Sequence, residues 1–112
     1  MQIEKLIPLV ESVLGDMKAK DLNLLDVRGK SSVTDYMLIA SGTSSRHVMA
    51  IAQEVSEQVK KVGLQPMGVE GQQVGDWVLV DLGDLVVHVM MPDARSFYDI
   101  ERLWSTDAAA EG

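Results

Sequence analysis

The side chains of this chain that could do chemistry are few. Most of them fall between Asp76 and Met91, where the sequence reads D-W-V-L-V-D-L-G-D-L-V-V-H-V-M-M. His88 could act as a general acid or base with Asp81 or Asp84, because a carboxylate can hold and tune an imidazole that titrates near neutral pH. Whether they meet depends on the strands around them. Gly83-Asp84 between two apolar runs suits a two-residue hairpin loop, since Gly accepts a positive φ without a Cβ clash. That loop sets Leu82 opposite Leu85, Val80 opposite Val87 and Val78 opposite Val89, all on one core-like face. The other face carries Trp77, Leu79, Asp81, Val86, His88 and Met90. There His88 stands opposite Leu79 with Trp77 diagonal. This favours a hydrogen-bonded imidazole in a partly covered surface over a catalytic one.

The remaining chemical signals are weak one by one. Gly42-Thr43-Ser44-Ser45 lies between a predicted strand and a predicted helix, a position that can bind an anion. It lacks the Walker and Rossmann glycine spacings, and helix capping accounts for it. The loop is similar to the Gly-Ser segment of nucleotidyltransferases, which also need a pair of strand carboxylates to hold metal ions. No Asp-x-Asp or Asp-x-Glu follows, and Asp81 and Asp84 sit on opposite sides of a turn. With only His47 and His88, there is no paired-histidine zinc motif, and with no cysteine there is no thiolate chemistry. Serines occur without a nucleophile-elbow pattern. We therefore expect no catalytic residue, no metal and no cofactor. Trp77 and Tyr98 read differently, as residue types that dominate interface hot spots. On an open sheet face rimmed by Asp81 and its neighbouring acids, Trp77, Leu79 and Met90 would form an apolar patch suited to a protein partner with a basic rim.

Charge points the same way. Seventeen acids face ten Lys and Arg in 112 residues, a net charge of −7. Phosphate-backbone binding needs clustered cations, so extensive direct nucleic-acid binding is not expected. A basic protein partner would be attracted instead. No signal peptide is evident, and no apolar run approaches the roughly 18 residues of a membrane span. With no disulfide framework, a cytoplasmic location is expected.

The elements that must position these residues follow in order. Ile3–Lys18 carries an apolar stripe at helical spacing, with Pro8 in the first turn or at a kink. Asp21–Val27 and Asp35–Ser41 read as strands paired in a hairpin, the second of them central. A helix capped by Thr43, Ser44 or Ser45 follows and ends at Gly63. Leu64–Glu70 is a short strand, and the Asp76–Met91 hairpin comes next. Pro92-Asp93 opens a last helix, in which Phe97 and Trp104 are expected in the core. The predicted order is α-β-β-α-β-β-β-α. This is a single α+β domain over residues 1–105, a mixed β-sheet with helices on one face, followed by a flexible tail over 106–112.

Several segments together resemble the ribosomal silencing factor, or Iojap, family. They are D-V-R-G-K-S-S-V-T-D from Asp26, S-G-T-S-S-R-H-V from Ser41, G-V-E-G from Gly68, D-W-V-L-V-D-L-G-D-L-V-V-H-V from Asp76 and Y-D-I-E-R-L-W from Tyr98. The resemblance implies a nucleotidyltransferase-like fold without its catalytic carboxylates. It implies binding to the large ribosomal subunit through its protein fourteen, a steric block to small-subunit joining, translational repression and a part in late large-subunit assembly. Carried onto this chain, the contact surface would centre on Trp77, Asp81, Leu82 and Tyr98, with Asp26, Lys30, Asp84 and Arg102 around it. Leu82 conflicts with the hairpin register, which puts it on the core side. The competing readings are a metal-dependent nucleotidyltransferase-like enzyme and a homodimeric adaptor with no ribosomal role. A homodimer could also mask the apolar face when the protein is off the ribosome.

Overall fold

Leu6, Val10, Val13 and Leu14 share one buried stripe of the first helix, α1 (Ile3–Asp16), in the computed structural model, which describes residues 1–104. Pro8 lies in the second turn, where its nitrogen cannot bond the Glu4 carbonyl, yet the helix continues through it. The chain then forms β1 (Lys20–Asp26), β2 (Tyr36–Ser41), α2 (Ser45–Lys61), β3 (Gly68–Glu70), β4 (Trp77–Asp81) and β5 (Leu85–Met90). Two short helices close the fold, α3 (Pro92–Tyr98) and α4 (Ile100–Trp104).

The sheet order is β1-β2-β5-β4-β3, with β2 and β5 parallel and the other pairs antiparallel. The β4–β5 register is the expected one: Val78 faces Val89, Leu79 faces His88 and Val80 faces Val87. Gly83, at φ +92, turns the hairpin, closed by the Leu82 amide donating to the Leu85 carbonyl at 2.9 Å. The third strand is shorter than Leu64–Glu70. Pro66 has no N–H to offer, and pairing begins just after it, where the Met67 amide reaches the Asp81 carbonyl.

One sheet face carries Leu38, Ala40, Val78, Val80, Leu82, Leu85, Val87 and Val89 and packs under α1 and α2 in the larger core. Two of the three helices expected on one face lie here. On the opposite face Leu25, Val27, Met37, Ile39 and Met90 form a second, smaller core with Ala94, Ile100, Trp104 and Trp77. The last helix is thus split and placed beneath the sheet. The split falls at Asp99, in the left-handed region at φ 50.

This split corrects the expectation for Phe97. A continuous helix would have aligned Phe97 with the core residues. After the break Ile100 and Trp104 face the sheet, while Phe97 is 81% and Leu103 68% exposed. Arg95 holds the break in place. Its guanidinium donates to Glu101 at 2.7 and 3.0 Å, to the Ser41 hydroxyl at 2.8 Å and to the Asp21 carbonyl at 2.7 Å. Asn23 donates to the same carboxylate at 2.6 Å. The Arg95 hydrogen bond, helped by Asn23, holds the Glu101 carboxyl below its ordinary range against the opposing effect of burial. The tail expected over 106–112 lies outside the described residues.

Two glycines make opposite predictions. Gly71 has φ +89, and a Cβ there would overlap the Trp77 carbonyl oxygen. At Gly15, inside α1, a Cβ meets nothing within 4 Å. Gly71→Ala should lower the unfolding free energy by about 2 kcal/mol or more. Gly15→Ala should raise it by about 0.5–1 kcal/mol. Urea unfolding midpoints of both variants check the pair.

Candidate partner-binding surface

Alternation along β4 puts Trp77, Leu79 and Asp81 on the lower face, beside Val86, His88 and Met90 of β5. The C-terminal helices cover this face only in part. Beyond Trp104 an open, mainly apolar hollow of about 370 Å³ remains, lined by Met37, Leu79, Val86, Asp81 and the 30–34 loop. Next to it the aromatic rings form a ladder. Trp77 lies 4.7 Å from Tyr98 at a tilt of 48°, and Tyr98 meets Phe97 edge-on at 5.0 Å. Trp77 is half-buried and Tyr98 is 51% exposed, so the ladder runs from the core to solvent. Each ring has an apolar face to offer, and the tyrosine adds a polar tip.

His88 forms the root of this ladder. It is 4% exposed, and its Nδ1 accepts the Trp77 indole N–H at 3.0 Å. It bonds neither Asp81 nor Asp84, so the acid–base pair that the sequence allowed is not formed. Asp81 instead accepts the Gly83 amide at 2.9 Å and steadies the hairpin turn. Burial pushes the imidazole down to about 4, which keeps it neutral at physiological pH.

The other expected contact residues divide. Asp84 is exposed at the hairpin tip, and its backbone carbonyl accepts the amides of Asp35 and Tyr36. Asp26 is exposed and held by Arg28 through two side-chain bonds of 2.9 and 2.6 Å. That hydrogen bonding lowers its carboxyl to about 2. Arg28 also lies over the Tyr36 ring, at 5.2 Å. Lys30 lines the hollow, with its Nζ 3.5 Å from the Trp104 carbonyl. Arg102 is exposed beside Asp99, at 3.6 Å. Leu82 is the exception. It is 4% exposed and packs in the core beneath α1 and α2, where the hairpin register had placed it, and not on the exposed face that the resemblance implied.

Sequence reasoning had put Val86 on this face but missed Phe97 on the exposed surface, and Met37 and Trp104 in the lining of the hollow. The apolar character of these three was legible, but which face each would meet was not. The Gly42–Ser45 loop is structural. The Ser44 side chain caps α2 by accepting the His47 amide at 3.1 Å. The His47 Nδ1 accepts the Thr43 amide at 2.9 Å, and its Nε2 therefore donates to the Met17 carbonyl at 2.7 Å, tying the end of α1 to the start of α2. Among the described residues no group of three or more His, Asp or Glu is placed to hold a metal ion.

His88 makes acid stability a measurable consequence. In the unfolded chain its imidazole takes up a proton near its ordinary value of 6.5, whereas the folded protein refuses it until about 4. The unfolded state binds more protons across that window, so stability falls as pH drops through it. From about pH 7 to about pH 5 the loss should be about 2 kcal/mol. Chemical denaturation at the two pH values should show this loss in the wild type and not in His88→Asn.

Comparison with known proteins places this geometry. A family model described as "Ribosomal silencing factor during starvation" matches residues 1–111. The ribosomal silencing factor of Haemophilus influenzae is 45% identical over 100 residues, covering 89% of this chain and 98% of that protein. The Bacillus subtilis protein of the same name is 40% identical over 111 residues, covering 99% and 94%. A mouse protein named for mitochondrial assembly of the ribosomal large subunit is 33% identical over 102 residues, covering 88% of this chain and 45% of that one. A crystal structure of a Chromobacterium violaceum protein superimposes with a TM-score of 0.91 at 43% identity, covering 96% of this chain and 89% of that one. The segments read from the sequence, the fold and the near-complete coverage agree, and the chain belongs to the ribosomal silencing factor family.

Proposed function

We propose that this protein is a cytoplasmic translational repressor that works by occupying space. It docks on the large ribosomal subunit through ribosomal protein fourteen and keeps the small subunit from joining. It also assists late assembly of the large subunit, in keeping with the mouse relative, which is named for mitochondrial assembly of the ribosomal large subunit. The observation that carries this reading is the aromatic ladder of Trp77, Tyr98 and Phe97 on the incompletely covered sheet face of a member of this family. Such a surface needs affinity and no chemistry, and it is not an enzyme's site. Trp77 and Tyr98 supply buried area. Asp81 and Asp84 at the hairpin end, with a net charge of −7, favour encounter with a basic partner. Asp26, Lys30 and Arg102 form the outer rim. A second copy of the chain would compete for the same aromatic patch, so a homodimer and the ribosome-bound form exclude each other.

The test is co-sedimentation with purified large subunits, with small subunits as the control. Wild type should pellet with large subunits only. Trp77→Ala should weaken binding by at least about 2 kcal/mol, roughly thirtyfold. Asp81→Lys should weaken it most at low salt, where long-range attraction is least screened. Wild-type protein that stays in the supernatant would refute the reading.

A further inference from the structure

Trp77 and His88 are diagonal neighbours on β4 and β5, since Trp77 pairs with Met90 and His88 with Leu79. The indole N–H donates to Nδ1 at 3.0 Å, so the imidazole proton resides on Nε2. That nitrogen is buried and has no hydrogen-bond partner among the described residues. A buried N–H left unpaired is unfavourable. A phenylalanine at this position, among Ile39, Leu79 and Val86, would avoid that penalty. The imidazole therefore has one polar use in the structure, which is to hold the Trp77 N–H inward. With the N–H turned in, the indole is tilted against Tyr98 at 4.7 Å, and Tyr98 in turn meets Phe97.

We infer that His88 is a positioning residue of the contact surface: by accepting the indole N–H it selects the one orientation of Trp77 that the partner meets. The inference rests on the reading that Trp77 makes the contact. Its physical content is preorganisation. A half-exposed indole with a free N–H could turn that group to water and leave Tyr98. Each association event would then have to restore the order. Bonding to His88 places that ordering in the fold instead. Because burial keeps the imidazole neutral at physiological pH, Nδ1 stays an acceptor there.

Two variants separate positioning from packing. His88→Phe keeps a ring but no acceptor. His88→Asn is smaller and keeps an acceptor near the position of Nδ1. The indole N–H resonance of Trp77, assigned with Trp104→Phe, reports the bond directly through its exchange with solvent. Binding to purified large subunits reports the consequence. In wild type the Trp77 N–H should exchange slowly. In His88→Phe its exchange should speed up and affinity should fall about tenfold, the equivalent of one lost hydrogen bond. His88→Asn should recover most of both. Unchanged exchange in His88→Phe would overturn the inference, as would equal binding losses in two folded variants. Should His88→Phe fail to fold, the wild-type exchange rate and His88→Asn decide, and a fast-exchanging Trp77 N–H in wild type overturns it. Wild-type protein that does not bind large subunits defeats the functional reading, while the exchange measurement still decides whether His88 holds Trp77.

Discussion

Parallel pairing of β2 with β5 places two strands at the centre of the sheet with neighbours on both sides. All six residues of β5 are buried, and in β2 only Tyr36 is not. Strands placed so must be covered above and below, and that requirement shapes the rest of the molecule. The upper cover is ample, with helices of fourteen and seventeen residues. The lower cover is two helices of only seven and five residues. They reach β1, β2 and the start of β4, and they leave Leu79, Asp81 and the rim of the hollow uncovered. The candidate surface is thus the part of a necessary second layer that the chain does not supply.

How the short layer is held matters as much as its extent. Helices of five and seven residues have little stability of their own and depend on tertiary contacts. Arg95 provides four of these from one nearly buried side chain, and Glu101 and Asn23 complete the set. The network joins α3, α4, β1 and β2 around the left-handed turn at Asp99. Exposed pairs such as Asp26–Arg28 contribute little by comparison, because solvent screens them. Anchoring at Arg95 turns the Phe97–Tyr98 segment outward beside Trp77 and keeps the ladder assembled.

Two kinds of polar group therefore serve one surface. Solvent-facing carboxylates at the hairpin tip act at a distance and are sensitive to salt. The part-buried His88–Trp77 bond acts locally and is far less sensitive to salt. Only the first is a matter of composition. The second needs a fold that brings the indole N–H of Trp77 against the Nδ1 of a buried His88.

Much of this was legible in the residues themselves. The β4–β5 register, the capped second helix, the pairing of β1 with β2 and the central place of β2 all follow from local patterns. Turn residues, alternation and helical spacing act between near neighbours in the chain. The conflict over Leu82 was legible too, since alternation already placed it on the core face. What the sequence by itself could not determine lies at the end of the chain. Helical spacing placed Phe97 in the core because it assumed an unbroken helix. The break at Asp99 is held by Arg95 contacts to residues 54 and 74 positions away. The same holds for His88. Its register was correct, but its partner was settled only when Tyr98 and the second core closed over that face. The tertiary structure decided these points because each depends on groups far apart in sequence sharing one low-dielectric space.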